Sequence, residues 1–204
     1  MSLYRVVRGF ALICAKIGYR VEFHGRENEP AEGGVVVFSN HTSLADPFFT
    51  ATAVKRPLHF MAKSDLLKSR FMKWLFDSCN VVAVNRGESD IAALRKTCDV
   101  IANGNCVGIY PQGTRIECDS PDPETALAGM GLMATRAKAT LLPVAICYGK
   151  NNKKPKLFSK VKVYIGKPIP YEEYMNINER PNSHEIAKYA FSKLCEDFEK
   201  YNHD

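Results

Sequence analysis

Two kinds of apolar pattern alternate along the chain. Short β-branched runs recur at 34–38 (GVVVF), 58–62 (LHFMA), 80–84 (NVVAV), 106–110 (CVGIY), 140–147 (TLLPVAIC) and 160–166 (KVKVYIG), and their length and content predict strands. Between most of them, apolar positions three and four apart predict helices over 46–54, 65–77, 89–102 and 124–138, with a last amphipathic helix over 183–201. Strands alternating with helices predict an α/β fold: a single domain with a mixed, mostly parallel sheet, flanked by helices on both faces and with some edge strands antiparallel. The basic run KNNKKPK at 150–156 reads as a strand-to-strand loop, and no repeat or low-complexity segment interrupts the pattern.

Two segments carry an apolar and a basic face together. Drawn as a helix, the N-terminal stretch places Leu3, Val6, Phe10, Ile13, Cys14 and Ile17 on one side and Arg5, Arg8, Lys16 and Arg20 on the other. Such a helix either lies in a membrane interface with its cations toward anionic headgroups, or packs its apolar face on the domain. The expected organisation is an amphipathic N-terminal helix over 1–22, a candidate for the membrane interface, followed by one domain over 23–204. The stretch 64–78 similarly combines Leu66, Leu67, Phe71, Trp74 and Leu75 with Lys68, Arg70 and Lys73. Neither segment has the long apolar run of a membrane span, and Lys16 interrupts what could be mistaken for a signal peptide.

Composition narrows the partners. The 204 residues carry 28 Lys+Arg against 22 Asp+Glu, a net charge of +6, which suits an anionic lipid surface or a phosphorylated substrate and is modest for a nucleic-acid binder. The seven cysteines are odd in number, widely spaced and contain no C-x-x-C pair, so neither a zinc site nor a disulfide framework is expected. Reduced thiols imply a cytosol-facing protein.

Candidate chemistry starts at SNHTSLADPFF, residues 39–49, where His41 and Asp46 follow a predicted strand. Asp46 before Pro47 is also a good helix start, so a capping role alone could account for it. On a continuous helix the two residues would lie about 140° apart, so any contact between them requires a turn. Two more loops follow strands and carry arginines: VNRGESD with Arg86, and YPQGTRI with Gly113, Thr114 and Arg115. Parallel strands would deliver all three loops to one end of the sheet, where open α/β sheets place their sites. Glycine there permits close approach, threonine donates a hydrogen bond, and arginine grips phosphate through its planar fork.

In the order and spacing of these blocks the chain resembles the glycerolipid acyltransferase family, specifically the bacterial 1-acylglycerol-3-phosphate (lysophosphatidate) O-acyltransferases, over nearly its whole length. The family's N-H-x-x-x-x-D block matches Asn40, His41 and Asp46, with Ser43 and Pro47 also in pattern. Its arginine after a short strand matches Arg86, its P-E-G-T-R block matches Pro111, Gly113, Thr114 and Arg115, and its apolar run into a proline matches Leu142, Pro143 and Val144. AKSDL at 62–66 and KPKLFSKVKVYIGKPI at 154–169 also resemble the family. The chain departs from the pattern at Gln112, where the family has glutamate, and at LAGMG, 127–131, where relatives carry lysine and phenylalanine.

The resemblance implies acyl transfer from a thioester, acyl-CoA or acyl carrier protein, to the sn-2 hydroxyl of 1-acylglycerol 3-phosphate. His41 and Asp46 would be the catalytic dyad. Arg86, Gln112, Gly113, Thr114 and Arg115 would bind substrate, with Asn40, Ser43 and Pro143 in support. No cofactor or metal is implied beyond the donor, and the enzyme would sit peripherally on the cytoplasmic face of an anionic membrane with a lysophospholipid acceptor. If the family's glutamate pairs with an arginine, Gln112 would leave the phosphate pocket more positive and slow the chemistry. The competing readings are a lipid-binding member that has lost turnover and a thioesterase that activates water with the same dyad; absence of a G-x-S-x-G elbow argues against a serine acyl-enzyme.

Overall fold

The computed structural model describes residues 3–63, 82–84, 91–149 and 154–202. The helix expected over 65–77, the amphipathic stretch around Trp74, and Arg86 lie outside them. Among these residues seven strands form one sheet in the order β1-β7-β6-β2-β5-β3-β4. They are β1 Val21–His24, β2 Val35–Ser39, β3 Leu58–Lys63, β4 Val82–Val84, β5 Cys106–Ile109, β6 Thr140–Cys147 and β7 Val161–Ile165. β6, β2, β5, β3 and β4 are mutually parallel, whereas β7 pairs antiparallel with β6 and β1 runs parallel to β7. Thus the edge strand β1 and its neighbour oppose the other five. The carboxyl end of the sheet below means the end at which those five strands finish.

The helices are α1 Leu3–Gly18, α2 Asp46–Ala53, α3 Ile91–Ala102, α4 Gly129–Ala137, α5 Tyr171–Met175 and α6 Ser183–Tyr201. The period of two along β2 divides the core. Val36 and Phe38 face α3, α4 and α6, joining Ile101, Met130, Leu141, Phe191 and Leu194, while Val35 and Val37 join Ala15, Phe49, Leu142, Val144 and Ile146 on the side of α1 and α2. Both faces of β2 and β6 are therefore dry, which is why their sequences are apolar throughout rather than alternating. α6 begins at a capping box, in which the Asn182 side chain accepts from His184 and Glu185 N–H groups and Glu185 reaches back to the Asn182 N–H. A side chain at Gly131 would run into the Ser183 carbonyl, so the close approach of α4 to the start of α6 requires glycine there.

Three local expectations change. The N-terminal helix ends at Gly18 rather than running to 22: Arg20 turns the chain at φ 43°, and Val21 and Glu22 enter β1 beside Val161 and Lys162. The helix expected over 124–138 divides into a single turn, Pro123–Thr125, and α4, because Ala126 between them is extended. The short α5 was not foreseen. The largest difference concerns the faces of α1. The Arg8 guanidinium turns inward and donates to the carbonyls of Ala51 and Val54 at the end of α2, at 3.3 and 2.6 Å, where it complements the negative end of that helix. Ala15 is fully buried beside it, while Phe10, Ile13 and Ile17 point away from the domain. These three apolar side chains of α1 are thus left largely exposed.

Candidate active site

β2 delivers the chain to the carboxyl end of the sheet at Asn40, which is buried and holds the turn that follows. Its amide donates to the Ile146 carbonyl at 3.0 Å and accepts from the Ile146 N–H at 2.8 Å, replacing a rung of the β2–β6 ladder as β2 ends. The chain then turns back on Asp46. One carboxylate oxygen, Oδ2, accepts from the N–H groups of Thr42 and Ser43 at 2.7 and 2.8 Å and lies 2.7 Å from Nδ1 of His41. Ser43 tightens the same turn by accepting the Ala45 N–H on its hydroxyl. Asp46 is thus the first residue of α2 but does not cap it: its side chain faces back into the preceding loop, and no side-chain cap is formed at that helix start.

The other carboxylate oxygen, Oδ1, accepts from the hydroxyl of Tyr148, just past the end of β6. Burial raises the Tyr148 hydroxyl far above its ordinary pKa, and the Asp46 charge adds to the effect, so the phenol remains a donor at neutral pH. Tyr110 at the end of β5 stacks on the His41 ring, centroids 4.1 Å apart and 20° from parallel, and is likewise raised by burial and by Asp46. Its hydroxyl lies 3.2 Å from Thr50 Oγ1 of α2. The Asp46 side chain is 1% exposed and that of His41 is 17% exposed. With the carboxylate accepting at Nδ1, the imidazole proton sits on that nitrogen, and Nε2, which has no partner among the described residues, carries the lone pair of a partly exposed ring.

The loop after β5 clamps the peptide of His41 from both sides. The Gln112 Oε1 accepts the His41 N–H at 2.9 Å, and the Ile116 N–H donates to the His41 carbonyl at 2.8 Å. Gln112 is buried, and its amide nitrogen donates to Thr125 Oγ1, whose hydroxyl in turn donates to the Asp122 carbonyl. Both ends of the Gln112 amide are therefore occupied by the protein. Gly113 takes φ 66°, the left-handed conformation in which glycine is unstrained, and a side chain there would strike Leu127. Thr114 and Arg115 project into solvent from this turn, and Arg115 has no hydrogen-bond or ion-pair partner among the described residues. Pro143 lies buried in β6 opposite Phe38, with its carbonyl accepting from the Gly166 N–H.

The structure thus brings together His41, Asp46, Asn40, Ser43, Gln112, Gly113, Thr114 and Arg115, while Arg86 lies outside the described residues; the strand before it, β4, does run parallel to β3 and β5. Tyr148, Tyr110 and Thr125 went unnoticed in the sequence. Tyr148 and Tyr110 had one available signal: each follows the last residue of a strand ending where β2 ends. Burial pushes the thiols of Cys106, Cys147 and Cys195 up to about 11, 12 and 12, so they remain protonated near neutrality and are poor nucleophiles. Among the described residues no His, Cys, Asp and Glu cluster could hold a metal ion.

The comparisons with known proteins agree with this geometry. A model of the Acyltransferase family matches residues 20–147, which span β1 to β6 and every site residue just described except Tyr148. The chain is 25% identical over 158 residues to a 1-acyl-sn-glycerol-3-phosphate acyltransferase of Bacillus subtilis (strain 168), covering 77% of each. It is 31% identical over 146 residues to a protein of the same name from Borreliella burgdorferi, covering 68% of this chain and 57% of that one. The solved 1-acyl-sn-glycerophosphate (LPA) acyltransferase, PlsC, of Thermotoga maritima superposes with a TM-score of 0.74 at 24% identity, over 97% of this chain and 78% of that one, and shares the fold. With the family model matching well over half of the chain, and relatives named as acyltransferases matching most of it, the chain is an acyltransferase of the Acyltransferase family.

Proposed function

We propose that the protein transfers an acyl group from a thioester to the sn-2 hydroxyl of 1-acylglycerol 3-phosphate, forming phosphatidate. The observation that carries the mechanism is the imidazole itself: Nδ1 is held by a buried carboxylate, and Nε2 has no partner among the described residues on a partly exposed ring. Nε2 takes the hydroxyl proton as the alcohol oxygen bonds to the thioester carbonyl. The tetrahedral adduct then collapses, the carbon–sulfur bond breaks, and the proton passes from the imidazolium to the leaving thiolate. Asp46 stabilises the imidazolium and fixes its tautomer, with Tyr148 and the Thr42 and Ser43 N–H groups fixing Asp46 in turn.

Arg115, with Thr114 and the backbone of Gly113, is assigned to the acceptor phosphate, and Arg86 is proposed as its second cation. In this reading Gln112 acts through His41 and does not touch substrate, since both ends of its amide are engaged. The relatives' names support the lysophosphatidate acceptor. Acyl-CoA and acyl carrier protein remain the two proposed donors, with no cofactor besides. Peripheral attachment to the cytoplasmic face is supported by the outward apolar row of α1 and by the free cysteines.

Mass spectrometry of the products made by purified protein from both donors and a panel of lysolipids tests the assignment. Phosphatidate that appears only with lysophosphatidate present, and disappears in His41→Ala, is expected. Free fatty acid released without acceptor would instead establish a thioesterase, and lysolipid binding without turnover would establish a lipid-binding protein.

A further inference from the structure

The β6–β7 connection lies at the carboxyl end of the sheet, the catalytic mechanism leaves its described residues unused, and it carries two adjacent apolar residues in the open. Leu157 and Phe158 are each 65% exposed, comparable to Phe10 at 69% and Ile17 at 67% on α1. These side chains belong to one surface. The Phe158 N–H donates to the Gly18 carbonyl at 2.6 Å, and Leu157 Cδ1 lies 3.7 Å from where a Gly18 side chain would begin, so the loop is docked on the last turn of α1. Phe158 holds φ 63°, a left-handed conformation that disfavours a bulky residue, and it does so with its ring turned to solvent.

The surface has a matching charge. No aspartate or glutamate occurs in residues 1–20 or 150–163. Lys16, Arg20 and Lys156 are exposed around the apolar side chains and have no acidic partner among the described residues, whereas Lys154 and Lys160 pair with Glu117 and Glu22. Apolar side chains rimmed by unpaired cations fit the headgroup region of an anionic bilayer. The location fits as well. Tyr19, just past α1, packs edge-on against Phe48 and Phe49, two and three residues beyond Asp46, so the end of α1 carrying the loop is the end near the dyad.

We propose that Leu157 and Phe158 form a second membrane-insertion point, which with Phe10, Ile13 and Ile17 lays the carboxyl end of the sheet against an anionic lipid surface. The inference rests on the reading of a membrane-borne acceptor. An anchor at α1 alone would leave the domain free to pivot about one helix; a second contact on the catalytic side of that helix holds His41 toward the interface in which a lysolipid hydroxyl lies.

The test uses the full chain and two measurements. An indole introduced by Phe158→Trp, in a Trp74→Phe background, is expected to shift to the blue on phosphatidylcholine–phosphatidylglycerol vesicles and to be quenched by brominated acyl chains. The double variant Leu157→Ser, Phe158→Ser is expected to lose about tenfold in partitioning to those vesicles, while keeping its turnover of a short-chain lysophosphatidate dispersed as monomers. An unquenched indole, or vesicle binding by the double variant equal to that of the parent, overturns the role of the loop. Failure of the parent to bind vesicles overturns the lipid surface altogether, while turnover of the monomeric acceptor reports separately on the acyl-transfer reading. Equal binding to pure phosphatidylcholine overturns the part played by the cations. Self-association, or binding of an acidic carrier protein in place of vesicles, that is lost in the double variant reassigns the surface and overturns the proposal.

Discussion

The two ends of the sheet use charge in opposite ways. At the amino end, loops are fastened by side chains that bond to backbone. The Glu29 carboxylate accepts the N–H groups of Lys55 and Arg56 at 2.7 and 2.8 Å, and the Arg56 guanidinium donates to the carbonyls of Pro30, Gly33 and Gly104. At the carboxyl end, backbone and buried side chains do the fastening, through Asp46, Gln112, Asn40 and Ile116, while His41 Nε2 and the Arg115 guanidinium are left without protein partners among the described residues. Exposed large hydrophobics follow the same division. Among the described residues they lie on α1 or at the carboxyl end, including Leu44 three residues after His41, and none is found in the loops of the amino end. One end is built to stay closed, the other to offer unsatisfied groups to something outside the chain.

The sharpest way to break that contrast is at the dyad. His41→Ala is expected to lower kcat by about 10²- to 10⁴-fold, the usual contribution of general base catalysis, with the folded state retained by circular dichroism. A variant that keeps most of its activity would remove the imidazole from the mechanism. Arg115→Ala should come next. Losing a charge-assisted contact to phosphate is expected to cost about 1.5–3 kcal/mol, read as a roughly tenfold to hundredfold rise in the acceptor KM, with the KM for the thioester and the urea midpoint unchanged. Equal losses for both substrates would detach Arg115 from the phosphate.

Tyr148→Phe probes the fastening of the carboxyl end. It leaves Oδ1 of a buried carboxylate without its donor, and about tenfold in kcat is expected from a lost hydrogen bond to a charged group. The variant's KM values should stay near those of the parent, because Tyr148 acts through Asp46 and His41; a variant with unchanged kcat would reduce Tyr148 to packing. Gln112→Glu has a smaller expected effect. The His41 N–H keeps an acceptor, but the second carboxylate oxygen faces a threonine hydroxyl that already donates to Asp122, so roughly 1 kcal/mol of stability should be lost, with no gain in kcat. A rise in kcat would favour the alternative in which a carboxylate at 112 acts on substrate alignment. The control is Arg56→Ala at the amino end. Leaving three carbonyls without their donor should cost about 1–3 kcal/mol in urea unfolding, with kcat and both KM values unchanged.

Much of this division was legible in the chain and some of it was not. The strands at 106–110 and 140–147 and the final helix at 183–201 were recoverable because their spacing is a property of each segment alone; α6 occupies the expected residues. That His41, Asp46 and Arg115 lie at one end of the sheet was legible because His41 and Arg115 sit in loops after strands and Asp46 opens the helix after one of them, and parallel pairing brings such loops together. Tyr148 was not. It lies 102 residues from Asp46 and reaches it only because β6 is the neighbour of β2, an adjacency that no local pattern encodes. Gln112 shows the same limit, since the choice between a pocket wall and the clamp on the His41 peptide depends on where Thr125 and the β2 loop meet.

The N-terminal helix marks the boundary between the two sources of information. By itself the sequence determined that the N-terminal segment, read as 1–22, contains an amphipathic helix, because an apolar stripe and a basic stripe at a period of 3.6 residues require no knowledge of neighbours. Which stripe turns inward was decided by tertiary structure. The open carbonyls at the end of α2 attract the Arg8 guanidinium, and the small Ala15 permits close packing there. Once that face is inside, helical geometry leaves Phe10, Ile13 and Ile17 outside, on the helix whose last turn meets Leu157 and Phe158 from a distant part of the sequence.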